Sequence, residues 1–581
     1  MSLTKNYIGL ATTYHDPAIA ILSESGDILF AESAERFLQN KRAIGCAPDH
    51  VVRITELIES YCDPEGEFIV GSSWSNKMQL LFRGGFAIGV INRERILSPK
   101  GDGLSRFQLS KFLMSWMQNL QWLQGLGAGS NLAFRLRNNF NSRDARFRHF
   151  SHHDTHAVYA CAGSPFQDAA CAVVDGYGEM TSLAYYHYTD GKVRLIKKNR
   201  GAASLGLYYK QLTRLCGFDF VKGEEWKVMG LAPYGKMDDE IYGLLRCWFE
   251  VDGLALKRGP RKALANSFAR LKTLARPLDA PMIESADMAF TGQQVFSDVM
   301  GELLNNFYKV GLSKNLVFTG GCGLNSSFNG TILKRTPFKH LYVPSAPGDD
   351  GNAIGAGLFA MLEDQPDRPL PKTADSPYLG SRISDLSMRN LERFGGIKNL
   401  RHLPGTVHEE AATLLADGKI IGWFQGRAEF GPRALGNRSI FADPRSADMK
   451  DKINESVKFR EAYRPFAPCI LHEFGSEYFE DYQESRYMER TLKVKESMAD
   501  RIPAVVHVDR SARLQTVKQE WNERLYQLIK AFHKRTGVPV ILNTSFNVMG
   551  KPIVHSVEDA VATFFTTGLS AIVLGDYLIE K

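Results

Sequence analysis

Two stretches of this chain, residues 6–31 and 168–198, follow the same plan. The first reads as a strand, a tight polar turn from Thr12 to Asp16, a strand from Ala18 to Leu22, a Ser-Gly-Asp turn and a third strand. The second places Ala170 to Val174, Asp175-Gly176-Tyr177-Gly178, Leu183 to Tyr188, an Asp190-Gly191 turn and Val193 to Ile196 in the same order. Gly and Asp supply the positive φ of tight turns, and the alternating runs between them predict hairpins. Single hairpins are common, whereas a repeated one at the head of each half predicts two related lobes.

Actin-like ATPases and sugar kinases begin their two lobes this way, with both turns facing a cleft that holds nucleotide phosphate or metal. Residues 70–150 read as a mainly helical, irregular insertion over the first lobe. A helix around 285–310 leads to the strand Leu316-Val317-Phe318. Pro366, Pro369, Pro371 and Pro377 crowd a polar segment that reads as a linker. Beyond it a helix from Glu409 to Ala416 leads to the strand Ile420–Phe424 and a basic loop. The expected organisation is a domain over 1–365, a linker over 366–400 and a smaller α/β domain over 401–581.

At 581 residues, with 44% apolar and 23% charged side chains, the chain can bury a large core. No run approaches the ~18 apolar residues of a membrane helix. Met1-Ser2-Leu3-Thr4-Lys5 runs straight into a strand, leaving no room for a signal peptide. The eight cysteines form no Cys-x-x-Cys pair and read as free thiols, so a cytoplasmic protein is expected. A net charge of +7 suits anionic small ligands and is too weak to argue for nucleic acid. Arg135, Arg137, Arg143, Arg146 and Arg148 form a denser run, read as a solvated helical surface with an anion-facing role as the alternative.

Four constellations carry chemistry. His152 and His156 in Ser-His-His-Asp-Thr-His are four residues apart at the head of a helical run, so both imidazoles project from one face and can share a metal. Asp175 and Asp349, each in a Gly-flanked turn, are the carboxylates that complete a mixed N/O set suited to iron, manganese or zinc. A helix cap with buried histidines is the alternative. Thr319-Gly320-Gly321-Cys322-Gly323-Leu324-Asn325 follows a buried strand, and its glycines let backbone approach a ligand or simply turn. Gly223–Ala232 aims Glu225 or Lys227 into the same cleft or forms a surface loop. The last constellation gathers Arg427, Arg433, Arg438, Arg445, Lys458, Arg460, Arg464 and Arg513 in loops stiffened by Pro and Gly, with Asn543 among nearby polar donors. Arginine forks held among apolar residues suit phosphate.

Eleven motifs, in order from residue 14 to residue 547, resemble the O-carbamoyltransferase family of antibiotic, nodulation-factor and toxin biosynthesis: YHDPAIAIL, ERF, HHDTHAVYA, VVDGYGE, EEWKVMGLAPYG, FTGGCGLNSSFNG, PGDDGNAIGAG, GPRALGNRSI, VKFREAYRPFAP, HVDRSARLQTV and LNTSFN. The resemblance implies a two-lobed actin/sugar-kinase-like first domain, of the threonylcarbamoyl-transferase branch, followed by a smaller YrdC-like α/β domain. It implies that carbamoyl phosphate and ATP, with Mg²⁺, give carbamoyl adenylate in the second domain, and that an acceptor hydroxyl takes the carbamoyl group in the first. His152, His156, Asp175 and Asp349 match the metal ligands, iron being the usual ion. His15 matches the general base, Gly320, Gly321 and Asn325 the nucleotide loop, and Lys458, Arg464 and Arg513 the groups that hold carbamoyl phosphate or nucleotide.

Met549-Gly550-Lys551 stands where the family has a basic residue followed by Gly-Glu, so a phosphate contact is missing at Met549 unless Lys551 supplies it. Pro17 follows the His15 turn where a small residue is common. The acceptor is not readable: an aminoglycoside, a macrocycle, a cephem, a lipo-oligosaccharide or a guanidinium toxin precursor all fit. Dimers occur in the family, so a homodimer is admissible. A tRNA threonylcarbamoyl-transferase and a non-catalytic nucleotide-binding protein are the alternatives.

Overall fold

The computed structural model describes residues 4–77, 127–140, 145–277, 279–373, 376–461 and 463–581. In the first lobe β1 (Lys5–Ala11), β2 (Ala18–Leu22) and β3 (Ile28–Ser33) form an antiparallel meander. β4 (Glu67–Ser72) and β5 (Arg146–His149) extend it in parallel, in the order β3-β2-β1-β4-β5. In the second lobe β6 (Asp168–Gly178), β7 (Thr181–Thr189) and β8 (Lys192–Arg200) form the meander. After the hairpin of β9 (Phe249–Asp252) and β10 (Ala255–Arg258), β11 (Asn315–Thr319) and β12 (His340–Tyr342) complete a sheet ordered β12-β11-β6-β7-β8. The duplication therefore extends from the hairpins to the whole five-stranded sheet, with parallel and antiparallel pairs in matching places. This is the two-lobed actin/sugar-kinase plan.

Two helices lie back to back between the sheets. Asn352–Asp364 packs on β1, β2 and β4, and His152–Gly163 packs on β6 and β11. Ala157, Ala160, Ala162, Ala353, Ala356 and Ala360 are all buried there, and such small side chains let two layers approach closely. The helix expected around 285–310 is Ala286–Tyr308. The expected basic helical face is not one surface. Arg135 and Arg137 lie on the Ser130–Asn139 helix, whereas Arg146 and Arg148 lie on β5, where they pair with Glu67, Asp364 and Glu363. Arg143 and most of the expected 70–150 insertion fall outside the described residues.

The C-terminal domain is one nine-stranded mixed sheet. Its strands are β13 (Leu400–His402), β14 (Ile421–Phe424), β15 (Arg438–Ala442), β16 (Ala467–Leu471), β17 (Arg490–Lys493), β18 (Ser511–Val517), β19 (Val540–Ser545), β20 (Ala571–Leu574) and β21 (Tyr577–Glu580). They run in the order β13-β21-β20-β14-β15-β19-β16-β18-β17. Helices Val407–Ala416 and Glu523–Thr536 pack on each other and close one apolar core with it. The stretch expected as a linker carries a helix, Asp385–Phe394, docked near Val557–Phe565. All eight cysteines are free, and among the described residues no helix is long and apolar enough to cross a membrane.

The C-terminal domain is tied to the first lobe by buried polar contacts. Arg36 donates to Gly431 O at 2.8 Å and Arg427 to Leu29 O at 2.7 Å. Glu32 accepts from Ser381 Oγ at 2.5 Å, Arg53 Nε at 3.3 Å and His555 Nε2 at 3.1 Å. Burial alone would raise the Glu32 carboxyl, but His555, Arg53 and Ser381 together hold it at about 2. A carboxyl lowered by folding adds stability that is complete above its unfolded value of 4.5 and is lost as pH falls towards 2. Urea midpoints measured down this acid limb should fall more steeply for the native chain than for Glu32→Gln. The difference should be of order 2 kcal/mol, and parallel limbs would mean the junction does not titrate.

Gly330, at the end of the short Ser326–Asn329 helix, meets β17 edge-on. A methyl group there would stand 1.9 Å from Thr491 O. Its φ of −63° suits any residue, and at such a position Gly→Ala ordinarily stabilises by ~0.4–1 kcal/mol. Here backbone would have to move against backbone, so Gly330→Ala should destabilise by about 1–3 kcal/mol in thermal unfolding. A rise in melting temperature would show that the two domains do not dock through this contact.

A buried four-donor cluster and a cationic pocket

His152 and His156 open the His152–Gly163 helix one turn apart, and both are buried, at 1% and 0% exposure. Asp175 enters from β6, where the register breaks after Val174 and turns its carboxylate inward. Asp349 enters from the tight turn ahead of the Asn352–Asp364 helix. His152 Nε2 lies 3.2 Å from Asp175 Oδ2 and 3.5 Å from Asp349 Oδ1, and His156 Nε2 lies 3.5 Å from the same Asp349 oxygen. One donor atom from each of the four residues falls within 4.8 Å of all the others. The four residues singled out in the sequence are thus brought to one point.

The electrostatics suit a cation. Burial alone would depress the His152 imidazole, but its bonds to Asp175 and Asp349 lift it to about 10. Both carboxyls stay well below the usual range despite burial, held there by the histidines. The buried Asp175 and half-buried Asp349 carboxylates thus draw a proton onto an imidazole that a divalent ion would displace, and two imidazoles with two carboxylates match a first-row ion. The residues present fit such an ion.

Sequence reasoning missed the residues that orient the cluster. Trp74 stacks on His152 with ring centroids 4.9 Å apart, and its indole N–H donates to Thr12 O. Asn352 Nδ2 lies 3.1 Å from His156 Nε2 and 3.5 Å from His152 Nδ1, and Thr155 donates to its Oδ1 at 3.0 Å. Glu179 accepts the His152 backbone N–H at 3.3 Å. Partners of metal-site side chains of this kind fix ring orientation.

The Gly-rich loop lies against the cluster. Gly320, at φ +90°, presses on Val174 O where a side chain would not fit, and Gly321 N–H donates to Asp175 Oδ1 at 3.0 Å. The Asn325 side chain caps Phe328 N–H and pairs with Gln293. His15 stands on the β1–β2 turn with its Nδ1 2.8 Å from Asp16 Oδ2, and Arg42 reaches the same oxygen at 3.5 Å. Arg42, which sequence reasoning passed over, is raised above its usual range against the pull of burial by Asp16, Glu225 and Asp349. Beside it, burial, Asp16 and Asp349 lift the Asp350 carboxyl to about 7.

In the C-terminal domain the arginines divide by partner. Arg438 is wholly buried, donating to Gln425 O, Asn437 O, Ser381 O and Gly426 O. Arg427 donates to Gly380 O, Leu29 O and Leu379 O, and Arg445 chelates Asp443. These three are structural. Arg433 and Arg513 have no hydrogen-bond or ion-pair partner among the described residues. Burial lowers Arg433 to about 10, while burial and then Arg433, Arg460 and Arg464 push Arg513 well below its usual range. Asn543 holds the Arg433 loop from beneath by donating to Ala434 O at 3.3 Å and Gln515 Oε1 at 2.7 Å.

Lys458 is buried with its ammonium held, among the described residues, only by neutral oxygens of Ser545 and Asn547, and burial, Arg460 and Arg464 depress it strongly. Glu461 stands within this group of cations, bonded to Arg464 and to Lys227. Met549 and Lys551 are both exposed. A cluster with this surplus of desolvated positive charge suits a polyanion.

Residues 6–358 match a family model described as carbamoyltransferase N-terminus, and residues 412–581 match one described as carbamoyltransferase C-terminus. The nodulation protein NolNO of Sinorhizobium fredii is 37% identical over 455 residues, which cover 75% of this chain and 64% of that protein, so the match spans just under two thirds of the relative's length. The nodulation protein NolO of Bradyrhizobium diazoefficiens is 36% identical over 442 residues, covering 74% of this chain and 79% of that protein. An uncharacterized protein of Synechocystis is 31% identical over 622 residues, covering 99% and 96%. Among solved structures, component A of the (R)-2-hydroxyglutaryl-CoA dehydratase of Acidaminococcus fermentans superposes with a TM-score of 0.33 at 13% identity, covering 62% of this chain and 99% of that one.

Proposed function

The chain belongs to the carbamoyltransferase family, enzymes that move a carbamoyl group, and on that premise we propose that it is an ATP-dependent O-carbamoyltransferase of the cytoplasm. The C-terminal domain, over 401–581, takes carbamoyl phosphate, ATP and water to carbamoyl adenylate, pyrophosphate and phosphate. The first domain, over 1–365, transfers the carbamoyl group to a hydroxyl of a small natural product and releases AMP. The observation that carries this reading is the bond from Gly321 N–H to Asp175 Oδ1, which joins the Gly-rich loop, read here as a nucleotide loop, to four side chains that could hold a metal ion. His152, His156, Asp175 and Asp349 would hold a divalent ion, iron by family resemblance, and such an ion when bound polarises carbonyl and phosphoryl oxygens.

The chain's own residues supply the remainder. Arg433, Arg464 and Arg513 neutralise the phosphates during adenylation, Asn543 holds the loop that carries Arg433, and Lys458, matched by the resemblance to the same anion, stands beside them on Ser545 and Asn547. Carbamate is a poor electrophile, so adenylation provides the leaving group. At transfer, with Nδ1–H donated to Asp16, His15 presents Nε2 as a base. The acceptor O–H proton passes to His15, the acceptor oxygen bonds to the carbamoyl carbon, and the bond from that carbon to the phosphate oxygen breaks. Arg42 keeps Asp16 ionised and so fixes the tautomer.

The test needs no acceptor. Purified full-length protein with Mg²⁺, ATP and carbamoyl phosphate should exchange labelled pyrophosphate into ATP, and omission of carbamoyl phosphate should abolish the exchange. Metal-replete, folded protein that gives no exchange would remove the adenylation step from the assignment.

A further inference from the structure

The Glu225–Leu231 helix belongs to the first domain, yet its first turn is built into the second. The Trp226 ring lies against the Arg464 guanidinium, with Cζ 3.8 Å from the ring centroid. Lys227 Nζ is 2.8 Å from Glu461 Oε1 and 2.8 Å from Glu224 Oε1. The other Glu461 oxygen, Oε2, reaches Arg464 at 3.3 Å. Further along, Gly230 lies against Pro465 and Tyr463, and Tyr234 meets His507 edge-on at 5.2 Å.

This arrangement sets up a competition. A guanidinium and carboxylate left to themselves close to ~2.7–2.9 Å. Glu461 is shared with Lys227, and its contact with Arg464 is slack. Trp226 meanwhile supports the guanidinium with its ring, 3.8 Å from Cζ, and among the described residues the Arg464 side chain is bonded through Nη1 alone, to Glu461 at 3.3 Å. Arg464 is therefore held in place and only partly neutralised, by a carboxylate it shares with Lys227.

We propose that Trp226 and Lys227 are positioning residues for the second domain's anion site: the first domain holds Arg464 open for an incoming phosphate, so that site is complete only while the two domains are docked. This rests on the reading of the arginine pocket as the place of carbamoyl phosphate and ATP. It would make adenylate formation depend on the presence of the domain that consumes the adenylate.

The charges predict opposite signs for neighbouring changes. Lys227→Met releases Glu461 onto Arg464 and should weaken anion binding about tenfold, whereas Glu461→Gln removes the competitor and should tighten it about threefold. Trp226→Ala should weaken binding about tenfold, and Trp226→Phe should restore most of it.

Pyrophosphate affinity of the full-length chain by calorimetry, together with the half-saturation and maximum rate of exchange for carbamoyl phosphate, reads all four. Expected is a change in affinity and half-saturation with the maximum rate little altered. A merely structural interface would weaken binding in every variant, so weaker or unchanged binding in Glu461→Gln overturns the proposal even where Lys227→Met is poorly folded. If the native chain shows no exchange yet binds pyrophosphate with this pattern of signs, the positioning role stands and the adenylation reading falls. If the native chain does not bind pyrophosphate, both fall.

Discussion

Asp349→Asn should leave the purified protein nearly free of divalent metal and slow carbamoyl transfer by about 10³-fold, while pyrophosphate exchange stays close to the native rate. The substitution preserves volume and removes one charge, so the packing around the Asn352–Asp364 helix is left intact. Asp349 is the residue to change because a single oxygen of it stands 3.5 Å from both histidine Nε2 atoms. Without that charge, Asp175 alone faces two imidazoles in a buried site, and a bare divalent ion is left short of counter-charge. Lewis-acid stabilisation of several kcal/mol is the loss at stake, and ~4 kcal/mol is close to 10³ in rate. Metal content measured on the protein as purified reads the site independently of turnover. Native metal content in Asp349→Asn would show that the cluster is a buried polar network and no ion site. Normal metal with lost exchange would place the defect in the wrong domain.

That cluster was legible in the sequence because its elements are local. A four-residue histidine spacing at a helix start and two aspartates in Gly-flanked turns after strands are each fixed within a few residues. What orients the cluster was not singled out: Trp74 reaches it from a distant part of the chain, while Glu179 and Asn352 stand close after Asp175 and Asp349 but carry no spacing that marks them as its partners. The duplicated hairpins announced both lobes, and the matching strand order extended the repeat to β4 and β11, whose equivalence no turn motif signals. The arginines show the limit most clearly. Arg433 and Arg438 sit five residues apart in one motif of uniform character, yet Arg438 opens β15 and donates to four carbonyls, one of them from Ser381. Arg433 has none of these, and the paths of residues 425–426, 437 and 381 make the difference. Arg146-Phe147-Arg148-His149 did carry a strand-like period of two, but the longer basic run masked it.

Arg513→Ala should lower carbamoyl-phosphate-dependent pyrophosphate exchange by at least about 100-fold while leaving the melting temperature unchanged or higher. The two effects share one cause. Arg513 rises from β18 opposite Thr491 of β17, close to Arg433, Arg460 and Arg464, and among the described residues no carboxylate or carbonyl bonds its side chain. Its Nε is buried without a hydrogen-bond partner. A desolvated cation crowded by three others costs stability in the empty protein, and removing it relieves that cost. When a polyanion enters, the same crowding becomes attraction, and a charge-assisted bond to a desolvated arginine contributes ~3 kcal/mol or more, which is about 100-fold. Arg513→Lys separates charge from geometry. It keeps the positive charge but loses the planar fork, and should recover only part of the exchange rate. A melting temperature that drops sharply in Arg513→Ala, with exchange falling in proportion to the folded fraction, would make Arg513 a structural residue and move the anion site elsewhere. Full exchange in Arg513→Ala would do the same without any loss of fold. A stable protein that cannot exchange is the outcome required of a residue kept unpaired for a ligand.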